Sequence, residues 1–137
     1  MLDIVTSVEQ GKVAVTILRP QGRVDGQNYQ ELISKAADVY QSGARDILLD
    51  MSEVPYISSA GVMALQSIAL LLAGAPLPNI DNAWRMLKKT SMAPRAGAEK
   101  HLKLLHVQPE VRYVLDILGM TAHLDLFDDR QAALNAF

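Results

Sequence analysis

The chain predicts an α/β domain built on a mixed, mostly parallel sheet with helices packed against it. Three observations predict this. Short β-branched and aliphatic runs alternate with longer stretches whose apolar residues recur at helical spacing. The run Asp46-Ile47-Leu48-Leu49-Asp50 is nearly all apolar, the pattern of a central strand covered on both faces. The order of elements is β-β-α-β-α-(insertion)-β-α-β-α, and alternating strands and helices imply parallel pairing.

Each element has a local reason. Leu2 to Glu9 alternates loosely and is rich in β-branched residues, and Gln10-Gly11-Lys12 resembles a turn. Val13 to Leu18 is a strong strand candidate, so the chain should open with a β-hairpin. Pro20 cannot donate a ladder hydrogen bond and should end this strand or mark an irregularity in it. Asp25 is placed to cap a first helix whose apolar stripe is Tyr29, Leu32, Ile33, Ala36, Ala37 and Tyr40. Ser42-Gly43 closes it. After the Asp46–Asp50 strand, Val62, Leu65, Ile68, Ala69 and Leu72 continue a second helix that is apolar nearly all round and should be buried, with Gly74 at its end. His101 to Val107 should be a strand, and Pro109 opens a helix with Val111, Val114, Leu115 and Leu118 on its apolar face and Gly119 at its end. Leu124 to Phe127 should be a last strand, followed by a terminal helix capped by Asp128 or Asp129.

Residues 76–100 interrupt this pattern as an atypical insertion. Asn79 to Lys89 fits a short amphipathic helix carrying Trp84 and Leu87, and Lys89 to Lys100 is a polar loop. The segment 81–103 holds six cations, Arg85, Lys88, Lys89, Arg95, Lys100 and Lys103, against Asp81 and Glu99. It is therefore +4 on a chain of −2, which leaves −6 on the remainder.

Composition narrows the function classes. The 137 residues suit one domain, 1–137, and half of them are hydrophobic. A net charge of −2 argues against a general nucleic-acid binder. No run of about 18 apolar residues is present, so no transmembrane helix is expected, and no secretory signal is expected either. The absence of cysteine excludes disulfides and thiolate metal sites and is compatible with a cytoplasmic protein. His101, His106 and His123 are not arranged as ligands, and no cofactor motif occurs. The Gly-x-Ser-x-Gly elbow of a serine-nucleophile enzyme is missing, so enzyme activity is not expected.

The stretch Asp50 to Leu65 leads from a buried strand through a short loop into the second helix, with Ser58-Ser59 at the helix start. Either hydroxyl can cap the helix there, or meet a partner, or carry a phosphate. Ile57, Val62 and Leu65 would anchor the loop, and the small Ala60 and Gly61 would let another backbone approach.

Two separated regions resemble one family. One runs from Gly22-Arg23-Val24-Asp25 through Asp50-Met51-Ser52-Glu53-Val54-Pro55-Tyr56-Ile57-Ser58-Ser59-Ala60-Gly61-Val62. The other runs from Val107-Gln108-Pro109-Glu110-Val111-Arg112 through Gly119-Met120 to Phe127-Asp128-Asp129-Arg130. The chain resembles the STAS domain, specifically the anti-sigma factor antagonists of bacterial partner-switching systems. The resemblance implies a regulatory domain that binds an anti-sigma factor acting as an ATP-dependent serine kinase, and that a phosphatase resets. It implies partner contact at Asp25, Ser58, Ser59, Ala60, Gly61 and Val62. The family pattern at the helix start is commonly Asp-Ser-Ser-Gly. Here Ala60 stands where the best-known antagonists carry their phosphoacceptor, so Ser59 is the first choice for phosphorylation and Ser58 the second. Two other readings are a non-phosphorylated scaffold in a signalling assembly and the STAS component of a membrane transport system. Neither nucleic acid nor membrane contact is otherwise expected, and weak self-association is compatible with the resemblance.

Overall fold

The computed structural model describes residues 2–73 and 98–137. Strand β1 (Asp3–Gln10) pairs antiparallel with β2 (Ala14–Gln21), which forms the expected hairpin. Then follow α1 (Tyr29–Gln41), β3 (Ile47–Asp50), α2 (Ser59–Leu72), β4 (Leu102–Leu105), α3 (Pro109–Ile117), β5 (Asp125–Phe127) and α4 (Arg130–Asn135). One five-stranded sheet results, in the order β1-β2-β3-β4-β5, with every pairing after the hairpin parallel. The α/β class and the order of elements are as the sequence predicts. The insertion at 76–100, with its amphipathic helix and Trp84, lies outside the described residues except for positions 98–100, which enter a 3-10 turn, Ala98–His101. Gly74 also lies outside them, and α2 is capped at Ala73.

Strand alternation divides the core in two. Leu18, Ile47, Leu49, Leu102 and Leu104 face α1, α2 and α3. Val15, Ile17, Leu48 and Leu105 face the other way and are covered by Ala133 and Leu134 of α4, with Phe127 and Phe137 at the margin. β3 and β4 are thus buried on both faces, which is why their sequences are almost uninterruptedly apolar. Helix α2 runs against α1 and is buried from Ala60 to Leu72. The turn after α1 needs Gly43, which sits at φ +113°.

Three local expectations are corrected. Pro20 neither ends nor interrupts β2: it pairs with Ile4 of β1, and the strand continues to Gln21. Thr16 N–H donates to Asp46 on the β3 side, so by alternation the missing N–H of Pro20 also faces that side, beyond the last β2–β3 pair, Leu18↔Leu49. Asp25 does not cap α1. Asn28 occupies the N-cap position without a side-chain capping bond, and Asp25 is committed to the preceding turn. His101 and His106 do not share a strand: β4 spans only Leu102–Leu105. His101 closes the 3-10 turn with Nδ1 2.8 Å from Asp46 Oδ1, while His106 follows β4 at φ 55°. Lys103, one of the six cations of 81–103, lies in β4, inside the strand expected there. It is 5% exposed in β4, with its ammonium 3.0 Å from Asp125 Oδ2 and 5.3 Å from the Phe137 ring centre. A lysine is tolerated there because its charge is paired and its stem lies among apolar neighbours.

The second core is small, so its cover is sensitive. Leu134→Ala should cost about 2–5 kcal/mol. Urea unfolding should show a lowered midpoint with an unchanged slope.

Candidate functional site

The loop from Met51 to Ser58 is fastened to the 22–28 loop by backbone hydrogen bonds. Gly22 N–H donates to Glu53 O (2.9 Å), Val24 N–H to Tyr56 O (3.1 Å), and Ser58 N–H to Val24 O (2.9 Å). Val24 and Ile57 form a parallel bridge, and both side chains are fully buried. Two segments thirty residues apart therefore behave as one miniature sheet ahead of α2. The far side of the loop is held as well: Met51 N–H donates to Leu105 O (2.8 Å), and Gln108 Nε2 donates to Ser52 O (2.9 Å).

Asp25 is part of a closed turn. Its Oδ1 accepts from Gln27 N–H (2.9 Å), and its carbonyl accepts from Asn28 and Tyr29 N–H. Asn28 Oδ1 accepts in return from Asp25 N–H (2.9 Å), and Asn28 Nδ2 donates to Arg23 O (2.9 Å). The remaining carboxylate oxygen, Oδ2, lies 3.4 Å from Arg23 Nε.

The paired serines differ. Ser58 is the N-cap of α2, and its extended backbone lets Oγ accept from Gly61 N–H at 3.3 Å. Its hydroxyl is half-buried and already engaged. Ser59 is the first helical residue and is exposed, on a helix with no acidic residue in its first turn. Ala60, Gly61 and Val62 are buried, Val62 completely, so they support the loop from beneath. A Cβ on Gly61 would fall on Ile57 Cγ1 and lie 2.9 Å from Val24 O. The small residue is thus required for the helix to approach the Val24–Ile57 bridge.

The structure brings Asp25, Ser58 and Ser59 to one surface. It also places two side chains there that sequence reading gave no role, Arg23 and the half-exposed Tyr56. The parallel register sets Arg23 beside Tyr56 and Asp25 beside Ser58. Only the bridge could reveal this, because no sequence spacing links position 23 to position 56. Among the described residues no group of three His, Asp or Glu side chains could hold a metal ion, and no helix is long and apolar enough to cross a membrane.

Comparison with known proteins agrees on the fold. Residues 6–74 match the family model of the STAS domain. BtrV of Bordetella bronchiseptica, provisionally named an anti-sigma factor antagonist, is 28% identical over 117 residues, covering 85% of this chain and 81% of that protein. A crystal structure from Thermotoga maritima, also provisionally named an anti-sigma factor antagonist, superposes with a TM-score of 0.69 at 16% identity, covering 96% of this chain and 91% of that one. An anti-sigma factor antagonist from Mycobacterium paratuberculosis superposes with a TM-score of 0.62 at 18% identity, covering 98% and 93%. At these identities the structural likeness speaks for the fold.

The unequal serines lead to unequal substitutions. Ser58→Ala should destabilise by about 1 kcal/mol through the lost cap. Ser59→Ala should stay within about 0.5 kcal/mol of the parent. Chemical denaturation of the two variants side by side checks this.

Proposed function

The chain belongs to the STAS domain family, and from that premise we propose that it is an anti-sigma factor antagonist switched by phosphorylation of Ser59. The observation that carries this reading is the division of labour between the serines. Ser58 holds the helix start, and Ser59 stands free on a surface that two loops keep rigid. The name of the Bordetella relative supports the antagonist part of this reading.

In this reading the unmodified surface, which includes Asp25, Ser58 and Ser59, binds an anti-sigma factor that is also a serine kinase. Binding releases the protein which that kinase had sequestered. The kinase then transfers the γ-phosphoryl group of ATP to the Ser59 hydroxyl, releasing ADP and a proton. A phosphatase restores the hydroxyl with water and yields inorganic phosphate. The domain contributes a binding surface and an acceptor hydroxyl, and it works in the cytoplasm, where ATP and kinase are available.

The physics of the site suits a switch. Phosphorylation adds about −1.5 to −2 charges. At the start of α2 the partial positive charge of the helix tolerates this, so the fold survives. A partner surface shaped for a neutral hydroxyl meets bulk and an unpaired charge. Each 1.4 kcal/mol of that penalty weakens binding about tenfold.

Ala60 favours a second reading, a scaffold that has lost its switch, because the residue before Gly61 has no hydroxyl. Incubation with ATP and the serine kinase encoded nearest the gene, followed by intact mass, separates the two readings. A gain of one phosphate supports the switch, and no gain supports the scaffold.

Ser59→Asp should fold like the parent and weaken kinase binding by about tenfold or more. Ser59→Ala should bind persistently in the presence of ATP. Titration calorimetry with the partner kinase checks both. Equal affinity of Ser59→Asp and the parent would remove Ser59 from the switch.

A further inference from the structure

Resting on the reading of Ser59 as phosphoacceptor, we propose that Arg23 is a positioning residue of the switch. Its guanidinium is held by Asp25 while Ser59 is unmodified, and it transfers to the phosphate once Ser59 is phosphorylated.

The placement comes from the Val24–Ile57 bridge. Both bridge side chains point inward and are fully buried. Backbone alternation then turns Arg23 and Asp25 outward on one segment, and Tyr56 and Ser58 outward on the other. Neighbouring segments of a ladder lie about 4.8 Å apart. Asp25 is therefore the lateral neighbour of Ser58, Arg23 that of Tyr56, and Ser59 follows Ser58 as the first residue of α2.

The pair is built to exchange. Asp25 is fixed by its own turn, with Oδ1 engaged by Gln27 N–H. Arg23 is not fixed: its side chain is 71% exposed and meets Asp25 Oδ2 through Nε at 3.4 Å. Exposed ion pairs of this kind are weak. A phosphoserine offers nearly two charges and three acceptor oxygens, which suit the two-pronged geometry of a guanidinium. The stronger acceptor wins. Two acidic side chains of the loop among the described residues are already engaged. Glu53 is paired with Arg19 and Gln21, and Asp50 Oδ1 accepts from Ser52 N–H.

The exchange makes one covalent event change two charges. In the unmodified protein Asp25 is neutralised, and the partner sees a hydroxyl beside an ion pair. After phosphorylation Arg23 leaves, and the Asp25 carboxylate is uncovered next to the phosphate. A partner excluded by the phosphate is then excluded by Asp25 as well.

Phosphoserine can be placed at position 59 of the full chain by suppression of a stop codon, and the phosphate followed by 31P NMR against pH. The expected second phosphate pKa lies below its ordinary value of about 6. It should rise by several tenths in Arg23→Gln, return most of the way in Arg23→Lys, and fall further in Asp25→Asn. The Arg23 Nε–Hε resonance should shift on phosphorylation in the parent. Circular dichroism of the exposed-site variants confirms their folding. Identical titrations for the parent and Arg23→Gln overturn the inference, because the helix start alone would then hold the phosphate. The measurement needs no partner, so its outcome is separate from the kinase-binding test of Ser59.

Discussion

The hydrogen-bonded contact between the 22–28 and 51–58 loops is the constraint on which the site depends. Three backbone bonds and the Val24–Ile57 bridge fix where β3 hands the chain to α2. Without them the serines would sit on an ordinary connecting loop, free to sample many positions. With them Ser58 has the extended backbone a cap requires, and Ser59 is presented at a set angle. Gly61 completes the arrangement, since α2 can reach the bridge only if nothing stands between its first turn and Val24 O. The site is thus one product of a close backbone approach and the burial of two apolar side chains.

The rest of the fold serves that contact. Sequential strand order brings β2, β3 and β4 side by side, so the loops leaving the three strands emerge at one end of the sheet. α2 contributes an anchor that is buried on every side, and Gln108, the N-cap of α3, braces Ser52. α4 seals the opposite face, where Asp129 Oδ2 accepts from Ala132 N–H and Arg130 pairs with Glu9.

Much of this was legible in the residues because each signal was local. The stripes of α1 and α3, the apolar β3 and the proline at the start of α3 rest on nearest-neighbour chemistry. Where the reading failed, a distant partner decided. Pro20 is accommodated because β3 has stopped pairing two residues earlier, a fact held by residues 47–50. The burial of Lys103, on which the sequence offered no reading, likewise depends on Asp125 and Phe137, more than twenty residues away. Asp25 is the local exception: it looks like a cap from spacing alone, yet Asn28, three residues on, draws it into a turn. Of the site, the serines were visible as a pattern, but their unequal duties and the place of Arg23 depend on a bridge between separated segments.

The complete burial of α2 from Ala60 onward has a consequence for how such a domain can diversify. Variation in the helix body disturbs the core, whereas the exposed Arg23 and Tyr56 on the two loops can vary without touching it. Duplicate genes can therefore acquire new partners by exchanging Arg23, Tyr56 and their neighbours while the scaffold stays intact. Orthogonal signalling channels built on one architecture need only a handful of surface positions to stay insulated from each other.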